Sequence, residues 1–344
     1  MRILIVKTSS MGDVIHTLPA LTDAGKAIPG ISFDWVVEEN FAEIPTWHPL
    51  VDKVIPIAFR RWRKNVFAKK TWQAVTDFKD SVRSQKYDMI IDAQGLVKSA
   101  LMARVAQGTV WGFDRKAARD PFASIFYHKK VSAPPVKQAH AIDRLRILFS
   151  EALQYSLPTG SPDYGVDPNQ FGSNQEKNYL IFLHGTTWKT KHWPNQYWDE
   201  LAKIAKQNDF PVKLLWGNAE EEARAKDIAS RNSNVTVLPR LRLSEVVRVL
   251  ANAKAVVAVD TGLGHLAAAL SIPTLSLYGP TNAVLTGTQG GSQKHLSSTF
   301  ACSPCLSRDC HYIKNAEKVE PINPPCFKEL SPEKTWGLLS TFLR

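Results

Sequence analysis

Short apolar runs alternate with segments of helical spacing along the chain. In the first half the runs are RILIVK (2–7), FDWVVEE (33–39), VDKVIPI (51–57), YDMIIDAQG (87–95) and TVWGFD (109–114). A helix follows the first run to about residue 28, a polar amphipathic helix covers 70–86, and LVKSALMARVA (96–106) has helical spacing. Strands separated by helices of about 10–15 residues make βαβ units and a parallel sheet. Residues 157–178 carry three Pro and three Gly with little apolar periodicity, which marks a linker. The alternation then restarts with YLIFLHG (179–185), VKLLWG (212–217), VTVLP (235–239), AVVAVD (255–260) and TLSLYG (274–279). SPEKTWGLLSTFLR (331–344) reads as a capped terminal helix.

The expected fold class is α/β, with two Rossmann-like, doubly wound parallel-sheet domains. They span 1–160 and 179–330, joined by a linker over 161–178 and followed by the helix at 331–344. Ligands of such sheets bind beyond the carboxyl ends of the strands, so two facing sheets would share an interdomain cleft.

The 344 residues suit two domains of ordinary size, and a mean hydropathy of −0.20 is that of a soluble globular chain. No stretch approaches the ~18 apolar residues of a membrane span. The N-terminal run is too short for a secretory core, so the expected location is the cytoplasm. Net charge is +11. Seven basic residues and no acid lie between Lys53 and Thr76, including RRWRK at 60–64. Such a run suits nucleic acid, an anionic lipid or a phosphorylated substrate, or is a solvated face.

Several strand exits carry candidate chemistry. In SSMGDVIHTLPAL (9–21), Asp13 follows Gly12 just beyond the first strand, where a carboxylate serves as a helix cap or as a base facing a ligand. In VDTGLGHLAAAL (259–270), Asp260, Thr261 and Gly262 lead into a small-residue helix whose first N–H groups favour an anion, with His265 one turn in. The alternative there is an N-cap and a packed histidine. FLHGTTWKTKHWP (182–194) offers the hydroxyls of Thr186 and Thr187 and the ammonium groups of Lys189 and Lys191, the donors a diphosphate needs. WGNAEEEARAK (216–226) places Glu220, Glu221 and Glu222 where one acid could take both ribose hydroxyls. Together these exits describe a nucleoside-diphosphate site. The chain has no G-x-G-x-x-G after its first strand and no G-x-x-x-x-G-K-[ST], which argues against a dinucleotide dehydrogenase and a P-loop NTPase. Nor does it have a D-x-D cluster to hold a diphosphate through a cation.

KTSSMGDVIHTLPAL, DWVVEE, IDAQGLVKSA, HWP, VDTGLGHL and YGPT (278–281) closely resemble the ADP-heptose:lipopolysaccharide heptosyltransferases, in order and with similar spacing from Met1 to about residue 287. Members that add the first heptose to Kdo match best; later core heptosyltransferases are the alternative. The resemblance implies glycosyltransferase family 9, a GT-B fold, and an inverting, metal-independent transfer from ADP-L-glycero-β-D-manno-heptose. It implies an acceptor site in the N-terminal domain and a donor site in the C-terminal one. It matches Asp13 to the catalytic base, Thr186, Thr187, Lys191 and Glu221 to donor contacts, and Asp260, Thr261, Gly262 and His265 to the sugar- and phosphate-binding segment. An acceptor of Kdo-lipid A would explain the basic run. Arg60, Arg61, Arg63, Lys64 and Lys98 then become acceptor contacts, Trp62 a membrane-interface contact, and the protein peripheral on the cytoplasmic face of the inner membrane. A nucleic-acid-binding α/β protein is the distant rival, since only Trp62, Phe67 and Trp72 accompany the run.

Cys302, Cys305, Cys310 and Cys326 fall late, within an insertion at 300–327, with spacing C-x2-C-x4-C-x15-C. In a cytoplasmic protein this pattern suits a structural zinc ion or four unligated thiols in a loop-rich insertion. No cofactor is expected for catalysis.

Overall fold

The computed structural model describes residues 1–172, 178–314 and 322–343; 173–177 of the linker stretch, 315–321 of the cysteine-rich insertion and residue 344 lie outside them. The chain divides into two compact units, Met1–Val166 and Asp167–Arg344.

Unit 1 holds six strands: β1 (Arg2–Val6), β2 (Ser32–Glu38), β3 (Val51–Ile57), β4 (Met89–Asp92), β5 (Val110–Phe113) and β6 (Lys129–Val131). Their order is β3-β2-β1-β4-β5-β6, all parallel. The central strand β1 reads ILIV because both of its faces are covered, and Ile3 to Val6 are fully buried. Strand order reverses at β1. Right-handed crossovers in opposite directions send the helices to opposite faces of the sheet. The crossovers toward β4 and β5 accordingly share one face. Trp62, Phe78 and Val82, Ala100 and Ala103, and Ala123 pack there over Leu4, Val6, Ile57 and Ile90. Helices Leu18–Ala27 and Ala141–Leu153 are tied by a buried ion pair, Arg146 Nε to Asp23 Oδ2 at 2.6 Å.

Unit 2 repeats the plan with β7 (Leu180–Leu183), β8 (Val212–Leu214), β9 (Val235–Val237), β10 (Ala255–Val259), β11 (Thr274–Tyr278) and β12 (Gln293–Ser297), ordered β12-β11-β10-β7-β8-β9. Trp193 and Trp198 meet edge-on at 4.8 Å in its core, and the Trp193 indole N–H donates to the Leu330 carbonyl at 2.9 Å. That bond anchors the chain before the terminal helix Pro332–Leu339, whose first turn donates to the capping Ser331 hydroxyl.

The apolar runs locate the central strands to within a few residues. The edge strands β6 (KKV) and β12 (QKHLS) carry no apolar run and escape that reading. The helix expected after β1 is two helices, Met11–Ile15 and Leu18–Ala27. Pro19 lacks the N–H that a continuous helix would need.

Candidate active site

The β1 exit places Asp13 in the first turn of Met11–Ile15. Its Oδ2 accepts from both the Ser10 N–H and the Ser10 hydroxyl at 2.9 Å. Asp13 therefore caps the helix through one oxygen, while no hydrogen bond among the described residues reaches Oδ1. The turn before it is held from the neighbouring strand: Gln94, just past β4, accepts from the Thr8 and Ser9 N–H groups through Oε1 at 3.1 and 3.2 Å. Two cations attend the carboxylate. Arg119 Nη1 stands 3.8 Å from Oδ2, and the buried Lys7 ammonium donates to the Ala93 carbonyl at 2.9 Å. Burial alone would raise the Asp13 carboxyl; Lys7, the Ser10 donors and Arg119 outweigh it and hold the group below its ordinary value. Burial lowers the Lys7 ammonium in turn. Gly95, at φ +69°, makes the turn after β4, where a side chain would come within 3.3 Å of the Arg119 backbone nitrogen.

In unit 2 three strand exits converge because β7 lies between β10 and β8. Lys191 Nζ pairs with Asp260 Oδ2 at 2.7 Å, both largely buried, and lies 4.4 Å from the centre of the Trp188 ring. The Thr186 hydroxyl donates to the Asp260 carbonyl at 3.1 Å, and His192 Nε2 lies 3.0 Å from the Thr186 carbonyl oxygen. From the β8 exit, Glu221 accepts the Gly217 N–H at 2.7 Å and lays its carboxylate against Gly185. Thr261 is the N-cap of the eight-residue helix Gly262–Ala269, in which His265 is buried. One patch thus gathers a lysine, a hydroxyl, a carboxylate and a helix N-terminus, a set able to take a phosphate and a diol.

A family model for glycosyltransferase family 9 (heptosyltransferase) matches residues 75–315. The lipopolysaccharide heptosyltransferase 1 of Pseudomonas aeruginosa is 52% identical, covering 100% of this chain and 98% of its own length. The chain belongs to glycosyltransferase family 9. The heptosyltransferase 1 of Salmonella typhimurium is 51% identical over 88% of this chain and 95% of its own. Among solved structures, the E. coli heptosyltransferase WaaC with ADP superposes with a TM-score of 0.81 at 50% identity, covering 86% of this chain and 92% of that one. This heptosyltransferase accordingly has the doubly wound α/β sheets of the GT-B glycosyltransferases.

The structure of the heptosyltransferase brings Thr186, Lys191, Glu221, Asp260, Thr261 and Gly262 onto adjoining strand exits, with His265 one turn further along the helix. Thr187 is exposed beside them. In unit 1 the basic run makes the helix Phe59–Trp62 and the turn after it. The Arg61 guanidinium pairs with Glu39 at 3.1 Å, and the Arg60 N–H donates to Glu38 at 3.0 Å. Arg63 and Lys64 are exposed, and the Lys98 ammonium lies 5.1 Å from the Phe59 ring centre, which joins it to the run. Trp62 is half-buried. It packs on Phe78 with ring centres 6.4 Å apart, because helical spacing aims it at the sheet. Lys7, Gln94 and Arg119 were not singled out from sequence. The one signal for them is that Lys7 and Gln94 stand directly at the ends of apolar runs.

Cys302, Cys305, Cys310 and Cys326 line one cavity with His311, all as free thiols. Burial and the other three cysteines push the Cys326 thiol up to about 12. Among the described residues no group of three or more His, Cys, Asp or Glu is placed to hold a metal ion. No helix among them is long and apolar enough to cross a membrane.

Proposed function

We propose that this heptosyltransferase moves L-glycero-D-manno-heptose from ADP-heptose to the Kdo of Kdo-lipid A, by single displacement with inversion. The observation that carries the reading is Asp13. One oxygen is fixed by Ser10, the other accepts no hydrogen bond among the described residues, and the neighbouring cations hold the group below its ordinary value. An ionised carboxylate takes the acceptor hydroxyl's proton as that oxygen attacks the anomeric carbon. The C–O bond to the diphosphate breaks, and ADP leaves with the added charge. Lys191 and the backbone N–H groups at Thr261 and Gly262 oppose that charge. Asp260 holds the Lys191 ammonium in place, and Glu221 takes the ribose hydroxyls. Arg60, Arg61, Arg63, Lys64 and Lys98 contact the carboxylates and phosphates of the acceptor. The two heptosyltransferase 1 relatives and the ADP-bound E. coli structure support the donor and the first-heptose step. The protein works on the cytoplasmic face of the inner membrane, where its lipid acceptor resides, and nucleic acid is not its partner.

The test compares Kdo-lipid A with the same acceptor already carrying one heptose, each with ADP-heptose in excess EDTA. Transfer to the bare acceptor is the expected result. Transfer only to the heptosylated one would move the enzyme to a later core step, and loss of turnover in EDTA would overturn the metal-free chemistry. The cysteine cavity is assigned no step in this reaction. Metal analysis of the purified protein decides between one zinc ion per chain and four free thiols.

A further inference from the structure

One layer of unit 1 carries six of the nine exposed large apolar side chains among that unit's described residues. The helix Phe59–Trp62, the helix Lys69–Arg83, the helix Val97–Val105 and the turn Pro121–Phe126 cover a single face of the sheet, burying Phe78, Ala100 and Ala123 with a half-buried Trp62 packed against them. The same segments expose Val66, Phe67, Trp72, Leu101, Phe122 and Ile125; Phe67 is 95% exposed, Ile125 70% and Trp72 63%. Elsewhere in unit 1 the exposed large apolar side chains among the described residues are Met1, Val136 and Leu157. Water gains nothing from a wholly exposed phenylalanine or a mostly exposed tryptophan, so their concentration on one layer points to a partner.

The charges of the layer say which partner. Phe67 lies in the turn between the first two helices, with Arg60, Arg61, Arg63 and Lys64 before it and Lys69 and Lys70 after it. No acid interrupts residues 53–76. Aromatic side chains ringed by lysine and arginine match the boundary of an anionic bilayer, where the rings enter the acyl edge and the cations meet the headgroups. A single-stranded nucleic acid would use the aromatic faces and the cations but has no use for exposed Leu101 and Ile125.

We infer that this layer is a docking surface for an anionic lipid bilayer, with Phe67 and Trp72 as the inserted residues and Leu101, Phe122 and Ile125 resting on the interface. The inference deepens the proposed function, since it supplies the surface on which a lipid-linked acceptor would be met. It puts Phe67 and Trp72, which are more exposed than the half-buried Trp62, first among the residues that meet lipid.

The test is co-sedimentation of the full chain with phosphatidylcholine vesicles, with and without phosphatidylglycerol, none of them containing the acceptor. Binding to the anionic vesicles alone, weakened by salt, is expected. Phe67→Ser with Trp72→Ser should lower the partition coefficient about tenfold or more, and Phe122→Ser with Ile125→Ser by less. All four positions are exposed, so both variants keep the fold. Brominated lipid should quench the wild-type fluorescence more than that of Trp72→Phe. Failure of the wild type to bind anionic vesicles, or full binding by both double variants, would overturn the surface. So would retention on RNA without vesicle binding. Transfer to a deacylated, water-soluble acceptor separates the two proposals: it should be unchanged in the variants. If the wild type binds vesicles but transfers heptose to no Kdo acceptor, the docking surface stands and the proposed reaction falls.

Discussion

The Glu221 carboxylate fills the space where a side chain at residue 185 would begin, with its carbon 2.7 Å from the position of that missing β-carbon. The Gly217 N–H donates to the same carboxylate at 2.7 Å. Gly185→Ala should therefore push Glu221 off its seat. Because a shift of an ångström in a positioning group is costly, the KM for ADP-heptose should rise about tenfold. Steady-state kinetics check this, and an unchanged KM would remove Glu221 from the ribose site.

Asp13→Asn separates the cap from the base. The amide oxygen of asparagine still accepts from Ser10, so the melting temperature should stay near that of the wild type. It cannot take a proton, so turnover should fall roughly 10²–10⁴-fold. Turnover near normal would leave Asp13 as a cap alone.

The acid limb of the rate profile should track Lys7. Asp13 is held below its ordinary value, with Lys7 the first of the groups that lower it. The proposed base is then ionised, and the enzyme is expected to stay active, down to a pH below the usual carboxylate range. Lys7→Met removes that cation, so the Asp13 carboxyl should rise and the acid limb of kcat/KM should move to higher pH. An unmoved limb would show that another group sets it.

His48 governs a different pH dependence. Burial lowers its imidazole from 6.5 to about 4, and its Nε2 lies 2.9 Å from the Thr22 hydroxyl oxygen. The folded pKa lies below the unfolded one, so the unfolded chain binds the proton first. Stability is lost as pH falls from 6.5 toward about 4. Above 6.5 the group makes no difference. Melting curves at pH 7 and pH 5 should differ less in His48→Gln than in the wild type.

The central strands were legible because burial on both faces leaves a mark in one dimension, as ILIV of β1 and AVVAV of β10 show. The exits after them were legible for the same reason: Asp13 and Asp260 stand where an apolar run stops. What surrounds Asp13 was not, because it depends on which strands are neighbours. Val6 is paired with Asp92, and that register brings Gln94 beside Thr8 and Lys7 beside Ala93. Nothing between residues 7 and 94 of the sequence announces it. In unit 2 the same ignorance of strand order hid the Lys191–Asp260 pair, although both residues were already candidates. Trp62 shows a third limit. Inward and outward aromatics of the 60–72 stretch look alike until the helix phase is known.

Among the described residues every strand pairing closes within one unit, so a crossover of genes between Val166 and Asp167 would cut neither of the two sheets. Each half inherits its own core and its own end of the proposed reaction. On the proposed assignment, exchanging first halves would exchange the acceptor end of the reaction and leave the nucleotide end in place. A chimera joined at that point is the laboratory form of the same event.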